Sequence, residues 1–206
     1  MGDGPRVAPG GPAPPSSRTK PMKRTLLAVA FLATLPAFAA DDLLPEARKV
    51  ATSVPPKLLA VLTAEIEKSG PEGAIGVCRE KAPEMAKAAS AQTGWAIRRV
   101  SLGNRNPKAV PDAWERAVLE DFDRRAAAGE SPATLEKGEV VAEDGKKSYR
   151  YMKALPTLDL CVKCHGPAEG LSPAVKEKLA ALYPQDKATG YTPGKIRGAM
   201  TIRKPL

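Results

Sequence analysis

Two of the three cysteines in this 206-residue chain stand immediately before its only histidine, in the run Cys161-Val162-Lys163-Cys164-His165. This C-x-x-C-H pattern is typical of c-type haem attachment, in which two thiols add to the porphyrin and the adjacent imidazole binds the iron. Aromatic residues make up only 4% of the chain, so a bound group can fill part of its core. We predict one covalently bound haem c held by Cys161, Cys164 and His165.

Two other uses of the motif are weaker alternatives. A structural zinc ion needs four ligands, and Cys164 and His165 are too close in sequence for both to reach one tetrahedral metal easily. A redox-active C-x-x-C disulfide usually opens a helix in a βαβ context, which this sequence does not show.

A second histidine ligand within one subunit is excluded, because the chain has only one histidine. The candidates for the sixth iron position are Cys78, Met85, Met152, Met200, a lysine, or no ligand at all. We favour Cys78, an unpaired thiol flanked at helical spacing by the small residues Ala74 and Ala82, which would let a flat ring approach the backbone. A buried, inert thiol is the alternative, because free cysteines are often fully buried.

The amino-terminal region predicts export. Residues 1–21 contain six prolines and four glycines and are expected to be disordered or not translated at all. Residues 22–39 have a basic start, an apolar run of about ten residues and the small-residue pattern Ala37-Phe38-Ala39, as in a secretory signal peptide. That run is too short for a membrane span, and no later stretch is long enough. We expect residues 40–206 to form a single haem domain in the periplasm.

The charge pattern argues against nucleic-acid binding. The formal net charge is +9, but residues 1–39 hold five of the 32 basic residues and only one of the 23 acidic residues. The remaining lysines and arginines are scattered among acids instead of forming a basic stripe.

The first half of the domain is predicted to be mainly helical. Helix is expected over 41–69, with Pro55-Pro56 opening a second helix, and again over 72–90 after Gly70-Pro71. Pro83 should bend or interrupt that last helix. A strand is expected over 95–100.

The second half mixes helices with antiparallel strands. We expect helices over 111–128 and from Ser172-Pro173 to Leu182. Asp144-Gly145 predicts a hairpin between strands 139–142 and 148–154, and 195–202 should form a closing strand. This order, without a βαβ repeat, predicts an α+β domain.

Several separated segments resemble one family. They are AIGVCREKAP around Cys78, RRVSLGNRNPKAVPDAWE, CVKCHG, and the closing run LYPQDKATGYTPGKIRGAMTIRKPL. Together they are similar to the Tll-type cyanobacterial haem protein family and its bacterial relatives, single-haem c-type proteins. The chain departs from the family pattern GD-x-RG at Gly194-Lys195-Ile196-Arg197-Gly198.

The resemblance implies a PAS-like antiparallel sheet flanked by helices, with His165 and Cys78 as the two axial ligands. It also implies redox sensing or electron transfer. From the residues themselves, Arg98, Arg99 and Arg105 are candidates to pair with the haem propionates, although solvated surface positions are the more common use of such arginines.

Three functions are compared on these residues. The first is a redox or small-ligand sensor, in which thiolate ligation keeps the reduction potential low and reduction loosens Cys78 to admit carbon monoxide or nitric oxide. Its signal would pass to a separate protein. The second is electron carriage to an acidic redox partner. The third, a peroxidase-like enzyme, is disfavoured because it needs distal acid and base groups, so we expect no enzyme. The oligomeric state stays open.

Overall fold

Four antiparallel strands form one sheet in the order β1-β4-β3-β2. The chain is described by a computed structural model, which covers residues 40–206 and, before them, only residues 1, 2, 4, 8 and 10–12. The predicted signal peptide and most of the predicted extension over 1–21 lie outside the described residues. Residues 40–206 belong to one compact unit. Within this described part, no helix is both long and apolar enough to cross a bilayer.

The strands are β1 (Ala96–Val100), β2 (Glu136–Glu143), β3 (Lys146–Pro156) and β4 (Ile196–Pro205). The hairpin between β2 and β3 turns at Asp144 and Gly145, whose φ angles of 50° and 73° suit a tight two-residue turn. Together with the helices, this antiparallel sheet confirms the predicted α+β class.

The helices are α1 (Ala40–Thr93), α2 (Ala113–Ala127), α3 (Val162–His165) and α4 (Pro173–Leu182). Short 3-10 turns occupy Pro107–Ala109, Asp159–Cys161 and Ala168–Gly170. Local caps set two helix starts: Asp112 accepts from the Glu115 amide in a capping box before α2, and Ser172 accepts from the Val175 amide before α4.

Helix α1 consists of two helical parts that meet at Gly70, whose φ of 71° and ψ of 173° are not helical. The predicted break at Gly70-Pro71 is therefore confirmed. The predicted new helix at Pro55-Pro56 is wrong, because helical backbone runs through both prolines. Helical backbone also continues through Pro83, so the helix is not interrupted there. Burial of Ala51 and Val54 against the core supplies tertiary packing that outweighs the missing amide hydrogen bonds.

Alternation along the strands gives the sheet two apolar faces. One face carries Tyr149, Tyr151 and Ile202, which pack against the first part of α1. The other carries Met152, Ala154 and Ala199, which pack against Val118, Leu119 and Phe122 of α2. β4 is buried from Ile196 to Ile202 because it is an inner strand with helices over both faces.

Candidate functional site

The C-x-x-C-H segment begins in the 3-10 turn Asp159–Cys161 and continues as the four-residue helix α3. Cys161 has right-handed helical backbone angles, so Cys161 and Cys164 are three residues apart on one turn and their side chains project from the same side. Both thiols, like that of Cys78, are free and half-buried. This spacing presents two sulfurs side by side and the imidazole of His165 directly after them.

Gly166 ends this helix through a hydrogen bond from its amide to the Val162 carbonyl, 2.9 Å long. A Cβ atom at position 166 would lie 2.5 Å from that carbonyl oxygen, closer than real contacts allow. The glycine after the histidine is therefore needed for the chain to turn away so tightly.

The His165 ring is oriented by the segment 186–191, which leads towards β4. Nδ1 of His165 lies 2.7 Å from the Ala188 carbonyl oxygen. Two backbone hydrogen bonds hold the same segments together, from Gly190 to the Gly166 carbonyl (2.8 Å) and from Tyr191 to the His165 carbonyl (2.9 Å). Because a carbonyl oxygen can only accept, Nδ1 carries the proton and the lone pair lies on Nε2.

Burial, together with the positive charges of Arg197 and Arg105, lowers the pKa of His165 to about 2. The ring is therefore neutral at physiological pH, as a metal ligand must be. The Nε atom of Arg197 lies 3.2 Å from the same Nδ1. It cannot donate there in the tautomer that Ala188 requires, and Arg197 instead donates through Nη1 to Ser101 Oγ at 2.8 Å.

Cys78 and His165 come together although 87 positions separate them in the chain. Arg99, Arg105 and Arg197 act electrostatically on both side chains, and Cys78 also interacts with Cys161. Burial raises the pKa of the Cys78 thiol, while those arginines oppose the rise. The structure therefore places the odd thiol beside the C-x-x-C-H segment.

Packing between α1 and α4 holds residues 161–165, called here the attachment segment because they are the candidate haem-attachment residues, against α1, the helix that carries Cys78. Ile75 of α1 is buried with Leu171, Val175, Leu179 and Tyr183, and Cys164 packs at the edge of this cluster. The Cys164 sulfur lies 3.6 Å from the Pro71 carbonyl oxygen. Burial raises the pKa of the Cys164 thiol to about 11.

Arg99 faces this group of sulfurs. Its side chain is accessible to solvent, yet desolvation by surrounding protein is the main cause that lowers its pKa. Among the described side chains, no carboxylate pairs with Arg99; the groups that act on it include Cys78, Cys161 and Tyr191. Arg99 therefore offers a cation to an anionic group at this site.

The sequence pattern of the Tll0287-like family matches residues 23–205. The chain belongs to this family. Among solved structures, it is similar to the cyanobacterial haem protein Tll0287, with 23% identity and a TM-score of 0.61. The similarity covers 82% of this chain and 98% of that one. It supports the fold alone, and the family and fold predictions are confirmed. No curated protein matches the chain.

In this member of the Tll0287-like family, the three arginines predicted to bind propionates have different surroundings. Arg99 lies at the candidate site, where it acts electrostatically on Cys78 and Cys161. The structure does not bring Arg98 to it: Arg98 pairs with Glu115 of α2 on the opposite face of the sheet. Arg105 is at the site, but its guanidinium already binds Asp186 and the Cys164 carbonyl.

The methionines considered as iron ligands lie in packed cores. Met200 is buried with Trp95 and Ile97, and Met85 packs against the same cluster. Met152 is fully buried on the α2 side of the sheet. Of the named candidates, Cys78 has the sulfur that the structure places with the attachment segment.

Two cavities of the described chain differ in how close they lie to the sulfurs, and no cysteine lines either one. One, of about 380 Å³, adjoins the group of sulfurs at Arg105 and Tyr183. The other, of about 650 Å³, lies between α2 and the 192–198 segment and contains none of the four candidate haem-binding residues Cys78, Cys161, Cys164 and His165.

Sequence reasoning missed Arg197, Asp186 and the Ala188 carbonyl. Every residue has a carbonyl, so no sequence signal marks Ala188. Arg197 lies beside Gly198 in the segment Gly194–Gly198, where the chain departs from the family pattern. The position of Arg197 in that segment was the available sequence signal.

Proposed function

We propose that this protein binds one haem c through thioethers to Cys161 and Cys164, that His165 and Cys78 would hold its iron, and that it responds to redox state. The observation that carries the proposal is that Cys78 and His165 share the charges of Arg99, Arg105 and Arg197, while the Cys164 sulfur lies 3.6 Å from the Pro71 carbonyl oxygen of α1, the helix that carries Cys78. When bound, the haem supplies a one-electron ferric/ferrous couple and an iron able to bind small gases. The haem protein Tll0287, which shares the fold, supports the same cofactor.

The residues present fit that group. Cys161 and Cys164 each add S–H across one vinyl double bond, so that a carbon–sulfur bond forms and the hydrogen moves to the neighbouring carbon without any oxidant. His165 offers Nε2, because its Nδ1 proton is held by Ala188. Arg99, which has no carboxylate partner among the described residues, pairs with a propionate.

Cys78 is the residue at which we place the redox response. Thiolate donation favours the ferric state and lowers the reduction potential. Cys78 would hold the ferric iron, and after reduction by an electron from a redox partner its weaker hold would allow a gas such as carbon monoxide or nitric oxide to bind. We further propose that the protein is exported to the periplasm by residues 22–39, that it is not an enzyme, and that it transfers its signal or electron to a separate protein.

The test is production of the full chain in a host with a c-type haem maturation system. We expect purified protein of polypeptide mass plus one haem, with haem retained on a denaturing gel. The double variant Cys161→Ser/Cys164→Ser should lose covalent haem, whereas the control Cys78→Ser should keep it. Colourless wild-type protein of bare polypeptide mass would overturn the proposal.

Absorption spectra then separate sensing from electron carriage. We expect a low-spin ferric spectrum, and carbon monoxide binding only after reduction. A low-spin spectrum that stays indifferent to carbon monoxide in both states would support electron carriage instead.

A further inference from the structure

Arg105 links the attachment segment to the segment 186–191, and the proposed haem would require these two segments to keep a fixed relative position. It lies in the connection after β1, and its side chain is only 9% exposed. Its Nη2 donates to the Cys164 carbonyl at 2.6 Å, and its Nε donates to Asp186 Oδ2 at 3.0 Å. One guanidinium therefore binds both the attachment helix and the segment 186–191.

Asp186 extends this link to the carbonyl that orients the histidine. Its Oδ1 accepts the Ala188 amide at 2.9 Å, while Oδ2 accepts from Arg105. The Ala188 carbonyl in turn accepts from His165 Nδ1, and Arg105 Nη2 approaches the same oxygen at 3.4 Å. Hydrogen bonds thus run from Cys164 through Arg105, Asp186 and Ala188 back to His165.

The chemistry of these hydrogen bonds favours a role for Arg105 and Asp186 in positioning His165. Asp186 is 12% exposed, so solvent and salt screen the ion pair little. The planar guanidinium of Arg105 binds a carboxylate and a carbonyl at once through separate N–H groups, which a lysine ammonium does with less directional control. Hydrogen bonds to the outer nitrogen of a metal-binding imidazole set its orientation and its strength as a ligand.

We propose that Arg105 and Asp186 form a clasp, a hydrogen-bonded pair that fixes the orientation in which the His165 imidazole would bind the iron. This inference rests on the proposed haem function. It assigns Arg105 to the protein scaffold instead of to a propionate, because its donors are already engaged.

The experiment compares holoproteins that carry Arg105→Gln, Asp186→Asn or both with wild type and with the control Lys187→Ala, an exposed neighbour on the same segment. Covalent haem content is measured by mass, ligation by ferric electron paramagnetic resonance, and the potential by redox titration. We expect both single variants to keep covalent haem and to raise the high-spin ferric fraction by about tenfold. The double variant should change little more than either single one.

Other outcomes would overturn the clasp. A purely electrostatic role predicts shifts of the potential in opposite directions, because one variant removes a positive charge and the other a negative one. A propionate role predicts a change in Arg105→Gln and none in Asp186→Asn. If Arg105→Gln does not fold, Asp186→Asn decides alone: a wild-type spectrum in it overturns the clasp. Wild-type protein without covalent haem would instead refute the proposed function.

Discussion

Arg98 and Arg99 are neighbours in β1, yet their guanidinium groups lie on opposite faces of the sheet. Arg98 pairs with Glu115 of α2, which is only 2% exposed. Arg99 faces Cys78 on the other side. Since successive strand residues alternate between faces, two adjacent arginines have different environments and different expected roles.

Replacing Arg99 should therefore act on the haem, and replacing Arg98 on stability. We expect Arg99→Gln to lower the reduction potential by on the order of 50 mV, because loss of a nearby cation favours the more positive ferric state. Redox titration of the holoprotein measures this. Arg98→Gln, the matched control, should leave the potential unchanged and reduce the free energy of unfolding. A larger potential change in Arg98→Gln would contradict the assignment of the two faces.

Cys78→Ala should change the ligation of the iron. We expect the ferric low-spin thiolate signals to disappear from the electron paramagnetic resonance spectrum and the reduction potential to rise, since a thiolate stabilises ferric iron. Met85→Leu is the matched control on the same helix, because Met85 packs against the core. Unchanged ferric g-values in Cys78→Ala would remove Cys78 from the iron.

Glu115→Gln should destabilise the domain. Glu115 accepts from Thr201 Oγ1 and the Asp112 amide, both at 2.9 Å, and lies 3.4 Å from Arg150, which is 4% exposed. Removing this charge leaves the buried Arg150 less compensated, at a cost of about 3 kcal/mol in the free energy of unfolding. Urea denaturation at neutral pH measures it. The exposed Glu120→Gln on the same helix should stay within about 0.5 kcal/mol of wild type.

Stability should also depend on Glu136 in acid. The hydrogen bond from Arg48 is the largest cause that lowers the pKa of Glu136 to about 2, and a bond from Tyr151 adds to it. A lowered carboxylate pKa stabilises the fold above the unfolded-state pKa, and this contribution is lost as the pH falls from about 5 to about 2. Because Arg48 is half exposed, we expect screening to limit the contribution to about 1 kcal/mol.

The measurement is the difference in free energy of unfolding between wild type and Glu136→Gln across this range. This difference in free energy of unfolding should have its full size at pH 6 and be lost near pH 2. The exposed Glu67→Gln serves as control and should show no such trend. A difference that grows towards low pH would refute the sign of the effect.

Local signals explain which elements could be predicted. Ser172-Pro173 marks the start of α4, and Asp144-Gly145 marks the hairpin turn, because each acts through bonds and backbone angles within a few residues. Pro55-Pro56 misled the prediction for the same reason. A proline weakens a helix locally, but burial of the neighbouring α1 residues in the core is a tertiary effect that no short window contains.

The amino-acid sequence alone determined the C-x-x-C-H motif, since two thiols and an imidazole within five residues need no distant partner to be recognised. The tertiary structure decided what surrounds them. It brought Cys78 to the motif, separated Arg98 from Arg99 by the sheet, and engaged Arg105 with Asp186. These relations depend on which faces of distant helices and strands meet. Burial then determines which charged side chains are paired within the protein and which can bind a ligand.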